Sequence, residues 1–444
     1  MGQLRLMVCG VLGLALWASV SASAQVATPE ANSIYNSALA AESVFPVQVM
    51  VTLPKILPSR KGQRRVSNPN KVKGYDDGVF QLKPSLEIGS VVTDNVNLSS
   101  TNRQTDIGLQ LKPSLAFESE WSRHSWRGSA SLESLHYLQT PGANTLTATV
   151  ETSFRLDIRH TTFADFTANA NVTSTSAGAS EVPNAAVGGR QDSNIGTTAA
   201  INHDFGPLQG RLKLGITLQA FGNVALSSGG TENNADRNYI EPSLSLRGTW
   251  GSPAARLKPY LEFTYDPRFH DQALDRNGQK RNSQGVGAAL GVTLQDGPIW
   301  TGHFSANFIA RSYDDPALKT AMAVGLTGSL TWSPTPLSNV VASTGVGLAE
   351  SELAGVSATP SWNAGLNASY AVRDNITLLT GATATFTKNT TGLDKTLIAS
   401  TGADWQLNPY LSLSGTLQST WFNAAAAGAS YNEQRATVAM VVKP

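Results

Sequence analysis

Any chemistry this chain performs has to be sought among its six histidines and its carboxylates, because its single cysteine, Cys9, lies inside an apolar N-terminal stretch. His124 and His160 fall in turn-like segments, His136 and His303 in the middle of alternating segments, His203 at the end of one and His270 where a polar loop begins. No two of them share metal-ligand spacing, so a zinc or iron site has no framework. A Gly-x-Ser-x-Gly elbow for a nucleophilic serine is missing, as is a glycine-rich loop opening a helix. Asp314 and Asp315, or Asp271 with Asp275, could attract a cation. Neither segment brings the roughly six oxygens of a calcium site, so they read as solvated turn carboxylates. The expectation is a protein without catalytic residues, cofactor or metal, and not an enzyme.

The charged residues show a different order: they recur at every second position, opposite apolar ones. Between Phe80 and Ile88, Phe80, Leu82, Pro84, Leu86 and Ile88 share one face of an extended chain while Gln81, Lys83, Ser85 and Glu87 share the other. The same split sets Ile107, Leu109, Leu111, Leu115 and Phe117 against Gln110, Lys112, Ser114 and Glu118. It sets Leu212, Leu214, Ile216 and Leu218 against Arg211, Lys213, Thr217 and Gln219. Alternation sustained over ten or so positions suits a sheet with lipid on one side and water on the other, whereas strands of soluble sandwiches are commonly about half as long.

Segments of this kind fall near 79–93, 105–121, 125–139, 145–157, 163–176, 192–203, 210–226, 237–250, 257–266, 282–294, 299–312, 318–332, 339–349, 359–371, 376–387, 396–406, 410–421 and 432–443. The predicted fold is all-β, a transmembrane antiparallel up-and-down barrel of about 18 strands, with about 16 as the alternative count. Connections after even-numbered segments are short and rich in turn formers, as at Asp204 to Pro207, Asp296 to Pro298 and Asn408 to Pro409. Those after odd-numbered segments are longer and rich in Gly, Asn and Ser, as at Ala177 to Arg190, Ser228 to Asp236 and Asp271 to Lys280. Short turns on one side and long loops on the other predict periplasmic turns, external loops and both chain ends in the periplasm. Two of the long loops, Ala177 to Arg190 and Asp271 to Lys280, are candidates to fold into the lumen.

Trp121, Trp250, Trp332 and Trp405 each stand at the end of an even-numbered segment, just before a short turn. They are expected to form an aromatic girdle at one membrane interface, since core tryptophans have no reason to choose one end. The face assigned to the lumen carries Lys83, Glu87, Lys112, Glu118, Arg127, Glu133, Glu151, Arg155, Arg211, Lys213, Glu241, Arg247, Lys258 and Glu262, all in the first nine segments. From about Ala317 onward that face is mostly neutral, with Ser361, Asn363, Asn367, Ser369, Ser412, Ser414 and Thr416. The charged half either borders a permeation path or pairs across strands to hold the barrel's shape; mixed signs predict weak ion preference.

Ahead of the barrel, residues 1–24 read as a secretory signal: Arg5, an apolar run from Leu6 to Val20 and the small residues Ala22-Ser23-Ala24 before Gln25. Residues 25–78 read as a flexible basic arm, in which Arg60, Lys61, Arg64 and Arg65 either meet a periplasmic partner or are merely solvated. The arm is too short to plug a barrel of this size, which argues against an energised receptor. Apart from the signal, no apolar run is long enough for a membrane-spanning helix. A net charge of +1 over 444 residues gives no footprint for nucleic acid. Outer-membrane lipid and the barrel-insertion machinery are the expected partners, and the sequence is silent on oligomeric state.

The stretch Gly74-Tyr75-Asp76-Asp77-Gly78 through Pro84-Ser85-Leu86-Glu87, followed by Thr93-Asp94-Asn95, resembles the first strand of the family called putative beta-barrel porin 2. The Pro-Ser-Leu phrase returns at Pro113-Ser114-Leu115 and Pro242-Ser243-Leu244. The resemblance implies an outer-membrane barrel from residue 79 to 444 and supplies no catalytic residues. The C-terminus, Val441-Val442-Lys443-Pro444, departs from the final aromatic usual in barrel-insertion signals. Recurrent prolines inside strands predict bulges or strand ends at those places. Two functions are expected from the sequence: porin-like passage of small polar solutes, or a structural or export-associated role, for instance in polysaccharide secretion.

Overall fold

A computed structural model of the chain describes residues 74–175, 188–252, 254–349, 356–389, 392–426 and 428–443. The signal, nearly all of the arm with Arg60, Lys61, Arg64 and Arg65, and residues 176–187 lie outside the described residues.

Eighteen long strands form the wall. They are β1 Phe80–Thr93, β2 Asp106–Ser119, β3 Ser125–Tyr137, β4 Thr145–Arg159, β5 Thr162–Thr175 and β6 Arg190–Asp204. Then follow β7 Leu208–Phe221, β8 Tyr239–Trp250, β9 Leu257–Tyr265, β10 Ser283–Asp296, β11 Trp300–Tyr313 and β12 Ala321–Thr335. The last six are β13 Ser338–Ala349, β14 Thr359–Arg373, β15 Ile376–Lys388, β16 Leu393–Asn408, β17 Leu411–Asn423 and β18 Tyr431–Val442. Each pairs antiparallel with its sequence neighbours, and β1 closes the ring on β18 from Leu86↔Val442 to Thr93↔Arg435. Below Leu86, the edge of β1 that β18 leaves open is met by the two-residue strand Tyr75–Asp76, paired with Leu82 and Gln81. That strand lies within the segment the sequence assigns to the arm.

The register turns sequence alternation into two chemically distinct surfaces. Lys83, Ser85 and Glu87 stand across from Ala116, Ser114 and Lys112, while Leu82, Pro84, Leu86 and Ile88 stand across from Phe117, Leu115, Pro113 and Leu111. The apolar set is the exposed one: Ile107, Leu109, Leu214, Ile216, Leu246, Leu290, Val324 and Leu417 all face outward. A continuous exposed apolar exterior around a polar interior is the reverse of a soluble barrel and is stable only in lipid. Closure gives every strand of the wall a neighbour on both sides, which pairs most of its backbone groups away from hydrocarbon.

The strand prolines mark where a ladder is interrupted on one side. Pro113 sits where the β2–β3 pairing skips from Leu111↔Ser134 to Ser114↔Ser131. Pro242 keeps its pairing with β7 but stands in the gap between Leu244↔Tyr265 and Ile240↔Phe269, where pairing on the other side lapses without a change of register. A residue without an N–H costs least at such positions. A further interruption, unrelated to proline, lies between β12 and β13: their pairing stops at Gly328↔Thr344, while β12 continues up to Ala321 beside β11.

Candidate functional site: the inner wall and its rims

The wall's inner face can be built strand by strand from the pairings. Glu87 lies opposite Lys112, whose Nζ is 3.0 Å from Glu133 on the next strand, so three sequence-predicted residues form one charge-alternating row. Glu118 faces Arg127, and Glu151 faces Ser129. Arg155 pairs with Asp157 at 3.0 Å, lies 3.6 Å over the Phe163 ring and stands across from Asp165. Arg211 stands across from Arg247, a like-charge pair relieved on the Arg247 side by Glu262. Lys213 and Lys83 stand across from the small residues Ala200 and Ala116. On the other half of the wall, the inner face holds Asn339, Ser369, Ser400 and Ser412, all buried.

Toward the loop end the interior carries a buried network that sequence reasoning only touched. Glu241 accepts from Arg268 at 2.6 Å and from Arg311 at 3.1 Å; Arg311 also binds Asp266 and the Ser283 hydroxyl. The buried Arg268, Arg311 and Glu241 and the half-buried Asp266 satisfy one another, which is the condition for keeping charges out of water. Arg311 could have been found, since it shares parity with His303, Ser305 and Asn307; Arg268 keeps the parity of Lys258 and Glu262 but lies past the end of the predicted segment 257–266. At the ring closure Thr93 donates to Glu433 at 2.7 Å, and Arg435 lies 3.1 Å from the same carboxylate. These two charges sit in the half that reads as neutral.

Above the strands, the loop 266–282 is braced against its neighbours. Arg276 reaches Asp236 at 2.8 Å and Glu232 at 2.7 Å in the loop between β7 and β8, and also binds the Asn234 side chain and the Asn233 carbonyl. Lys280 donates its backbone N–H to Asp315, and Arg281 pairs with Asp275 at 2.8 Å. Partial burial works against ionisation of Asp236, but the Arg276 side chain and backbone N–H outweigh it and hold the carboxyl below its ordinary range. Asp275 is held low in the same way, by the Gln279 N–H and Arg281 against its burial; Asp315 is held low by the N–H groups of Lys280 and Ala317. Asp271 to Lys280 is therefore held by bonds to the two loops beside it.

At the opposite end, the tryptophans gather on the outer surface. Trp121 packs on Phe80 and Phe154, with ring centroids 5.6 and 6.4 Å apart, and Trp126 and Phe117 extend the cluster. Trp332 stacks on Trp300 directly across the β11–β12 ladder at 5.4 Å; Trp250 is exposed at the end of β8, and Trp405 is exposed short of the end of β16, which runs on to Asn408. Among the described residues no group of three His, Cys, Asp or Glu side chains could hold a metal ion. His136 turns to Ser134 and Asn144, and His203 to Thr162 and Phe205, each engaged locally.

A closed antiparallel barrel with an apolar exterior, aromatic rim and charged interior is an outer-membrane β-barrel. The chain belongs to the family described as Putative beta-barrel porin 2, which it matches over residues 68–444. Among curated proteins there is no match. Among solved structures, the FrpB iron transporter from Neisseria meningitidis (F3-3 variant) is 12% identical with a TM-score of 0.39, over 78% of this chain and 62% of that one. This chain thus spans less than two thirds of the F3-3 chain. The F5-1 variant is 8% identical at a TM-score of 0.40, covering 82% of each chain. The ferric-catecholate import receptor Fiu from E. coli K12 is 10% identical at 0.39, over 84% of this chain and 82% of that one.

Proposed function

We propose that this barrel is a passive, porin-like passage for small polar solutes across the outer membrane, with the short turns and both chain ends in the periplasm and the long loops outside. The observation that carries the reading is the inner face: polar side chains on all eighteen strands, charged on one half and largely neutral on the other. Strand counts of about 16 to 18 enclose an aqueous bore rather than a packed core. The charged half borders the path, and its alternating signs leave little net preference for cations or anions.

Liposomes carrying the purified barrel should swell in isotonic sugar solutions at rates that fall with sugar size. A folded barrel that leaves swelling at the lipid-only rate would overturn the reading. Replacing Lys83, Lys112, Arg155 and Arg211 by Gln should shift the reversal potential toward cation preference, and an unchanged potential would remove the charged half from the path.

A further inference from the structure

The broken ladder between β12 and β13 leads to an element that the wall alone does not explain. On β13, Asn339 faces inward opposite Ser369, so by strand alternation Val346 and Leu348 belong to the outer face. Yet both are buried in one cluster with Ala321 and Ala323, which face inward on β12, and with Ile309 and Tyr313, which face inward on β11. An outer face can touch a neighbour's inner face only if the strand has left the wall and lies inside it. The upper parts of β13 and β14 are thus folded into the barrel, against the interior of β11 and β12.

Specific contacts hold them there. Trp362 of β14 donates its indole N–H to the Val324 carbonyl at 2.9 Å, using a backbone acceptor on the edge that β13 abandons. Gly325 makes the approach possible: a Cβ there would stand 2.9 Å from both the Trp362 ring and Val346. Beyond the strands, Tyr313 accepts from the Ala358 N–H at 2.8 Å, and Arg281 donates to the Val356 carbonyl at 2.9 Å. The second layer therefore leans across β12 and β11 as far as the start of β10.

We propose that this inward-folded part of β13 and β14 is the size filter of the passage, and that it admits small polar solutes without regard to their charge. Two packed sheet layers lie about 10 Å apart, so the bore loses on the order of 10 Å of width at this level. The surface turned to the bore carries Gly345, Gly347, Ser361 and Asn363, none ionisable, so it sorts by size and hydrogen bonding rather than by charge. The proposal rests on the passage reading above.

The test uses the full barrel with Cys9→Ser, which leaves the chain without cysteine. In this background Ala323→Cys with Leu348→Cys, both in the buried cluster, should be joined in the membrane by a short bis-thiol reagent, and failure to cross-link would overturn the inward position. Separately, a bulky thiol reagent on Gly347→Cys should lower single-channel conductance at least about twofold, and more than the same reagent on Ser414→Cys, which lines the wall elsewhere. An equal or smaller drop at Gly347→Cys would overturn the filter while leaving the passage standing. A cross-linked barrel that carries no current at all would overturn the passage reading and the filter with it.

Discussion

At the scale of single residues, the loop end depends on a few arginines, and Arg276 is the most connected of those outside the membrane. Arg276→Ala should release the loops at 222–238 and 266–282 from each other, costing roughly 1.5–3 kcal/mol of local stability for charged hydrogen bonds lost. Amide hydrogen exchange in both loops would register it; unchanged protection would mean the clamp is idle. The same contacts carry a pH dependence. Asp236, Asp275 and Asp315 are held below the ordinary carboxylate range, so their contribution is present above the unfolded value of about 3.9 and is lost as pH falls through the lower folded values. Protection factors of the Arg276, Asn277 and Gln279 amides, which donate to Asp236 and Asp275, should stay flat between about pH 5 and 8 and fall only below about 4. A loss near neutral pH would contradict the assignment. The row Glu87, Lys112 and Glu133 is readable in the sequence because parity alone places it. The Arg276 clamp is not, because loop residues have no period and their partners lie some forty positions away.

At the scale of elements, the strands follow directly from period-two alternation, and strict proximity of neighbours sets their limits. Gly302 and Gly328 face each other's strands across β11 and β12 so closely that a Cβ at either would stand 2.2 Å from a carbonyl oxygen of the other strand. Gly328→Val should therefore part the ladder and destabilise the barrel by about 1–3 kcal/mol, as overpacking does. The check is urea unfolding in lipid vesicles, followed through the fluorescence of the nearby Trp300 and Trp332; an unchanged midpoint would show that the backbones can separate freely. All eighteen alternating segments correspond to strands of the wall, with ends shifted by a few residues. The inward fold of β13 and β14 escapes the pattern for a physical reason. Val346 and Leu348 alternate with glycines as lipid-facing residues would, and an apolar side chain satisfied by the inner wall has the same sequence signature as one satisfied by lipid. The element turned inward is a pair of strands that look ordinary in sequence; Asp271 to Lys280 is tied to the loops beside it, and Ala177 to Arg190 lies mostly outside the described residues.

At the scale of the whole molecule, one closed wall carries an apolar exterior, aromatics at the turn end and an interior charged on one half. The turn-end aromatics predict a membrane boundary there: Trp332→Ala together with Trp300→Ala should lower the urea midpoint in lipid more than in a detergent micelle, which has no fixed interface. Equal losses in both would argue for packing alone. The split between charged and neutral walls was legible because inner residues alternate with outer ones throughout; Glu433 and Arg435, which join the charged wall across the ring closure, were not, because closure brings the two chain ends together only in space. The central claim is that water and small solutes pass through this interior, and the most direct measurement is single-channel conductance of the purified barrel in a planar bilayer. The account predicts discrete, ohmic steps with weak ion selectivity; a correctly folded and inserted barrel that gives no steps above the bare bilayer would contradict it.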